Sequence, residues 1–245
     1  LSVFDILLSV ASINSRIHLY YKILSMEKNI AILIADLSGY TALTETHGAT
    51  SAANLIDKYI RIAENCLVGD SKMHQRTGDE IMFISDCPDF LLATALNLET
   101  NTSNEEYFLQ IHGGLHFGKV LNRDDNYYGS TVNLASRIAA NAIAGTFWCS
   151  DDFVKSLTNK SICAFKPMGS HLFKNINGQK EIYEVSIEKT KTTLIDPICR
   201  MLIVNPQNAF HHPNENQIYF CSIQCSEEYN KSQSSVQCLE MHEQS

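Results

Sequence analysis

Ile30 to Ala35 form an unbroken apolar run rich in β-branched residues, the pattern of a strand covered on both faces, and the run ends in a carboxylate, Asp36. Ser38 and Gly39 follow as a turn signal, and from Tyr40 and Thr41 the pattern leads into helical spacing. A strand-to-helix junction of this kind presents backbone N–H groups and an acid together, a setting in which phosphates and metal ions are held. Ala42, Leu43, Ala52, Leu55, Ile56, Tyr59, Ile60 and Ala63 predict a helix over 42–67 packed on a sheet, with a break at Gly48. The segments 72–76 and 81–84 flank Thr77-Gly78-Asp79-Glu80 and predict a hairpin with a Gly-first turn, which puts Asp79 at its tip. Further on, the spacing predicts a helix over 90–98, a polar loop over 99–106 and a strand over 107–120. In that strand Gly113 and Gly114 mark close approach of neighbouring backbone. A helix over 131–143 and strands over 146–149, 162–168 and 181–187 complete an α+β fold of ferredoxin-like character, one sheet layered by helices.

Length and charge narrow this picture. The 245 residues suffice for one medium domain and a small second module. A domain over 29–188, a polar linker over 189–195, a module over 196–230 and a polar tail over 231–245 are the expected divisions. With 19 basic against 27 acidic residues the net charge is −8, which argues against a broad nucleic-acid surface and leaves room for a small phosphorylated ligand. In the extension 1–28, Asp5, Asn14, Arg16, His18 and Lys22 interrupt the apolar patches, so no membrane span is expected there. A positively charged start of the secretory type is also missing, and the expectation is a cytoplasmic protein whose first residues form an amphipathic helix that docks or dimerises. Cys66, Cys87, Cys149 and Cys163 are scattered through ordinary helix and strand text and read as buried free thiols.

Asp36 and Asp79 are 43 residues apart, and an antiparallel sheet can bring them together. Two bare acids side by side need cations, and Mg²⁺ takes a few carboxylates together with phosphate oxygens. On the helix over 131–143, Val132, Ala135, Ile138, Ala139 and Ala142 share one arc, while Asn133 and Arg137, at i and i+4, share a face away from it. That polar face is either simply solvated or aimed at charge developing on a phosphate held by another subunit.

DLSGYT around Asp36, TGDE around Asp79 and YYGSTVNLASR from Tyr127 to Arg137 together resemble the class III nucleotide cyclase catalytic domain, over about 29–187. The resemblance implies a homodimer with active sites at the interface. It implies two Mg²⁺ or Mn²⁺ ions on Asp36 and Asp79, and a catalytic pair, Asn133 and Arg137, supplied by the partner. It implies a triphosphate cradle over Ser38, Gly39, Tyr40 and Thr41, with Lys174 of FKNINGQKEIYEV as a further triphosphate contact. The implied reaction is attack of the ribose 3′-hydroxyl on the α-phosphorus of ATP, or of GTP, with release of pyrophosphate. Two positions depart from the adenylate cyclase pattern: Gln75 and Asn126 stand where a lysine and an aspartate usually read the purine. An amide offers donor or acceptor, so both purines are admissible substrates. The same departures allow an alternative, a catalytically silent cyclase-like dimer that senses nucleotide or metal.

Beyond the linker, Cys199, Cys221 and Cys225 have 21 and 3 residues between them, and the last two fall one helical turn apart at a strand-to-helix transition. Thiols so arranged in a reducing compartment read as metal ligands, for Zn²⁺ or Cu⁺. His211, His212, Cys238 and His242 are the candidates for a fourth ligand. The text from Leu194 to Tyr229 resembles a YHS (TRASH-type) domain, whose cysteines these three match, with Arg200 replacing the usual glycine of the DPxCGM start. The resemblance implies a small metal-binding module, through which metal or redox state would tune the cyclase.

Overall fold

The computed structural model describes residues 25–186, 194–212, 215 and 217–242. The expected N-terminal docking helix and residues 189–193 of the expected linker lie outside the described residues, while the last two linker residues, Leu194 and Ile195, are strand. The first strand, β1 (Ser25–Ser38), occupies the middle of an eight-stranded sheet and is longer than its apolar run. Side chains alternate across a strand, and both faces of β1 find cover. Ala31, Leu33, Ala35 and Leu37 enter the main core with Leu43, Tyr59, Phe83, Leu91 and Leu115, while Ile30, Ile32 and Ile34 pack with Met82, Ile84, Val120, Ala135 and Ala139 on the other face.

The helix α1 (Tyr40–Asn65) follows directly, and its backbone leaves helical geometry at Gly48 (φ 81°, ψ 167°), the expected break. The hairpin β2 (Lys72–Thr77) and β3 (Glu80–Ser85) pairs Thr77 with Glu80 around a two-residue turn in which Gly78 has φ 65°. The next helix, α2 (Pro88–Ser103), corrects the loop expected over 99–106. Glu99 and Thr102 are buried, and Thr102, Asn101 and Asn104 bond their side chains back to carbonyls one turn earlier, so these polar residues extend the helix.

The long strand β4 (Gln110–Arg123) pairs with β1 over its whole length, and the short β5 (Asn126–Tyr128) folds back on it. Gly114 is required by packing. A Cβ there would come within 2.3 Å of the Ala139 nitrogen and 2.5 Å of the Ala135 carbonyl in α3 (Ser130–Asn141). Strands β6 (Phe147–Ser150), β7 (Ala164–His171) and β8 (Lys180–Ser186), with the one-turn α4 (Asp151–Ser156), complete the order β2-β3-β1-β4-β6-β8-β7. Among the described residues, β4 and β6 are the one pair that runs parallel. Cys66 and Cys149 are buried free thiols as expected, whereas Cys87 and Cys163 are half-buried.

The C-terminal unit consists of two short hairpins, β9 (Leu194–Ile195) with β10 (Leu202–Ile203) and β11 (Phe210–His211) with β12 (Tyr219–Phe220), followed by α5 (Ile223–His242). It docks on the lead-in to β4 through main-chain bonds. Tyr107 N donates to the Leu202 carbonyl at 3.0 Å and Leu202 N to the Phe108 carbonyl at 2.6 Å. The Glu106 carboxylate accepts from Val204 N and Asn205 N, both at 2.9 Å, and Leu202 joins the main core.

Candidate active site

Asp36 stands at the end of β1 opposite His112 of β4. Its Oδ1 is buried and has no hydrogen-bond partner among the described residues, and its Oδ2 lies 3.9 Å from His112 Nε2. Because Ala35 pairs with Ile81 and Thr77 with Glu80, the β2–β3 turn projects alongside the last residues of β1, which brings Asp79 beside Asp36. The charges register each other. Burial first, then the Asp36 charge, pushes the Asp79 carboxyl above the ordinary carboxylate range. Burial raises Asp36 as well, and burial followed by both aspartates raises Glu80. The phenol of Tyr59, fully buried, donates to the Ala35 carbonyl at 3.4 Å and is pushed far up by burial and then by the two aspartates. Burial lowers His112, so it stands by these acids as a neutral ring and leaves their charge uncompensated.

The donor set therefore fits hard divalent cations: carboxylates alone, closely spaced, one oxygen buried and unsatisfied. Next to it, Gly39 (φ 97°, ψ 12°) caps α1 with no side-chain hydrogen bond. The first N–H groups of α1 lack intrahelical partners by geometry and face the region beyond Ser38. Ser38 is held in place by its Oγ, 2.8 Å from His112 Nδ1. Asp36, Asp79 and the Ser38–Thr41 turn thus converge at one end of β1.

The other residues expected at this site lie on the surface. Asn133 and Arg137 are exposed on α3, whose buried side is Thr131, Leu134, Ala135, Ile138 and Ala139, with Val132 and Ala142 half-buried. Gln75 and Asn126 are both exposed, and their chain neighbours His74 and Tyr127 meet edge to face with ring centroids 4.8 Å apart. Lys174 is exposed in the connection between β7 and β8. His112 was absent from the sequence expectations, and its only local signal was alternation on a strand whose pairing to β1 was unknown.

In the C-terminal unit Cys199, Cys221 and Cys225 come together, as their spacing suggested. The Sγ atoms of Cys199 and Cys221 are 3.4 Å apart and those of Cys221 and Cys225 3.6 Å apart. Neither histidine of the module joins them. His211 packs on Tyr219 with ring centroids 4.4 Å apart, and His212 Nε2 is 3.3 Å from Asn230 Oδ1; the side chains of Cys238 and His242 lie outside the described residues. The nearby imidazole comes from the first domain: His47 Nε2 of α1 is 3.5 Å from both Cys221 Sγ and Cys225 Sγ.

The adenylate and guanylate cyclase catalytic domain model matches residues 24–189. An adenylate cyclase of Glutamicibacter nicotianae is 32% identical over 117 residues, 47% of this chain and 29% of that protein. A pH-sensitive adenylate cyclase of Mycobacterium tuberculosis is 24% identical over 168 residues, 67% of this chain and 42% of that protein. The chain thus spans less than half the length of these curated relatives. Among solved structures, the adenylyl cyclase CyaB from P. aeruginosa superposes with a TM-score of 0.58 at 18% identity, covering 68% of this chain and 97% of that one. An adenylate cyclase from Trypanosoma brucei, described in its monomeric state, superposes at 0.61 with 15% identity over 78% of this chain and 95% of that one. These structures share the fold described above, and with a family match over well more than half its length the chain belongs to the adenylate and guanylate cyclase catalytic domain family.

Proposed function

We propose that the chain is a nucleotide cyclase that converts ATP, in preference to GTP, to the 3′,5′-cyclic nucleotide and pyrophosphate, at two sites formed between the subunits of a homodimer. The observation that carries this reading is the buried, partnerless Oδ1 of Asp36 beside Asp79, next to an uncapped helix start, in a chain of this family. Asp36 and Asp79 would hold two Mg²⁺ or Mn²⁺ ions, which when bound supply activation of the attacking oxygen and neutralisation of the leaving phosphate charge. The open N–H groups at the start of α1 take triphosphate oxygens. The ribose 3′-oxygen bonds to the α-phosphorus, the bond from that phosphorus to the pyrophosphate oxygen breaks, and the hydroxyl proton leaves to water. Positioning and charge stabilisation carry such a reaction.

Asn133 and Arg137 are exposed on α3, away from their own core, and in this reading they serve the site of a partner subunit, where the guanidinium meets charge on the phosphate. Gln75 and Asn126 read the purine through amides, which explains the breadth assigned to it. The C-terminal unit is read as a YHS-like metal-binding module tuning the enzyme. Purified protein given ATP or GTP with Mn²⁺ or Mg²⁺, with the product identified by chromatography and mass, tests the reaction. Turnover abolished by Asp36→Ala supports it. Turnover of neither nucleotide, with wild type and Asp36→Ala alike, replaces it with a silent cyclase-like dimer that senses nucleotide or metal.

A further inference from the structure

The break at Gly48 separates Tyr40–His47 from the rest of α1, and His47 is the last residue of that segment. His47 Nε2 and the Sγ atoms of Cys199, Cys221 and Cys225 all lie within 4.8 Å of one another. Zinc bonds of about 2.3 Å to sulfur and about 2.0 Å to nitrogen build a tetrahedron with S···S edges of about 3.8 Å and S···N edges of about 3.6 Å. Four of the six observed separations, S···S of 3.4 and 3.6 Å and two S···N of 3.5 Å, come within about 0.4 Å of those edges, and the other two lie within 4.8 Å. A disulfide would need sulfurs at about 2.0 Å, and these cysteines are free.

The surroundings hold the cluster in shape. Asp196 is fully buried, and its carboxylate accepts from Ile198 N and Cys199 N at 2.8 and 3.1 Å and from Cys221 N at 2.7 Å, so one side chain ties both cysteine-bearing loops together. Outer contacts of this kind orient metal ligands. From the other side Gln224 Nε2 donates to the Thr46 carbonyl at 2.6 Å, next to His47.

We infer that His47, Cys199, Cys221 and Cys225 form one closed tetrahedral site for a borderline divalent ion such as Zn²⁺, to which the cyclase domain contributes the imidazole and the C-terminal unit the three thiolates. Four protein ligands with three sulfurs make a structural site with no open position. The ion joins the module to the helical segment Tyr40–His47, which follows directly on Gly39 of the turn assigned above to the triphosphate. This inference deepens the metal-binding reading of the module and is independent of whether the chain cyclises any nucleotide.

The test uses the full chain, prepared under reductant, loaded with Zn²⁺ or Co²⁺ and desalted. Elemental analysis is expected to find one tightly held ion per chain, retained by Asp79→Asn. The Co²⁺ form is expected to show sulfur-to-cobalt charge transfer and the strong visible bands of a tetrahedral centre. His47→Ala, with helical circular dichroism preserved, is expected to weaken binding by more than the roughly 100-fold that loss of an outer-shell partner costs, and to alter the visible bands. Cys225→Ser is expected to diminish the charge transfer. Chelation should raise hydrogen exchange across Tyr40–His47. A wild-type chain that retains no ion, or a His47→Ala chain with wild-type affinity and an unchanged cobalt spectrum, would overturn the assignment. Exchange in Tyr40–His47 unmoved by chelation would overturn the link between the two domains.

Discussion

Asp36 Oδ2 faces His112 Nε2 at 3.9 Å across the β1–β4 pairing, while the opposite ring nitrogen is engaged with Ser38 Oγ at 2.8 Å. Burial keeps this imidazole below the ordinary histidine range, so at neutral pH it anchors the turn without offsetting the acids. Asp36, Asp79 and Glu80 are all raised, chiefly by burial. A carboxyl whose folded value is raised favours the fold at low pH, and this contribution is lost as pH rises through the folded value. At pH 7 the three charges therefore oppose folding when no cation is bound. Asp36→Asn is expected to raise the melting midpoint of cation-free protein by a few degrees, the scale on which about 1 kcal/mol acts in a chain of this size. Added Mn²⁺ is expected to raise the midpoint of the wild type and not that of Asp36→Asn. Equal shifts in both would show that the ion binds elsewhere.

Arg137 and Asp36 belong to different sites of one dimer under the proposed mechanism. Each of Asp36→Ala and Arg137→Ala is then inactive alone, because every site lacks one of the two groups. When the two variants are mixed and allowed to exchange subunits, half the dimers are heterodimers with one complete site each, and about a quarter of the wild-type rate is expected to return. A mixture as inactive as its components would place both groups in the same subunit's site.

His116 supplies the opposite pH dependence. It is 6% exposed, its Nδ1 is 2.7 Å from Ser150 Oγ, and burial holds it down to about 4. A histidine with a lowered folded value contributes stability above its unfolded value, near 6.5, and loses it as pH falls through the folded one. The loss amounts to roughly 3 kcal/mol between those limits. Protonation of Asp36, Asp79 and Glu80, whose carboxyls are raised, works in the opposite direction as pH falls, so the wild-type curve blends both. His116→Gln, which cannot charge, is expected to lose less stability than wild type between pH 6.5 and 4 in denaturant titrations. Parallel curves would assign the acid sensitivity to other groups.

The parts of this architecture that were legible in sequence are those written in local pattern. Ile30–Ala35 announced a strand buried on both faces because both faces are apolar, and Thr77–Glu80 announced the hairpin because a Gly-first turn leaves few alternatives. Asn133 and Arg137 were readable as a face because helix period alone separates them from Ala135, Ile138 and Ala139. Glu99–Ser103 misled because buried polar side chains that bond back to their own helix look like loop residues in composition. His47 and His112 were illegible for a further reason: each meets its partners through long-range docking, 174 residues away for Cys221, and no local period encodes that. The candidates for a fourth ligand, His211, His212, Cys238 and His242, were those of the module and its tail, whereas among the described residues the imidazole that meets the thiols is His47 of the other domain.

Gly39 and Arg200 make the last testable contact between the module and the proposed triphosphate turn. Gly39 has φ 97°, and a Cβ there would lie 2.5 Å from Arg200 Cβ and 2.7 Å from its Cγ. Arg200 itself has φ 68°, a left-handed conformation that glycine adopts without strain and that costs other residues about 1–2 kcal/mol. Arg200→Gly is therefore expected to be neutral or stabilising by up to about 1 kcal/mol, the relieved strain being partly offset by lost packing. Gly39→Ala is expected to destabilise by more than the left-handed strain alone, since its methyl must also displace the Arg200 stem. In the double variant that displacement is unnecessary. The two changes should thus depart from additivity by about 0.5–3 kcal/mol in the stabilising direction, the range found for residues in contact. Denaturant titration of the four proteins measures the coupling, and additivity to within about 0.5 kcal/mol would mean that the module does not press on the turn in solution.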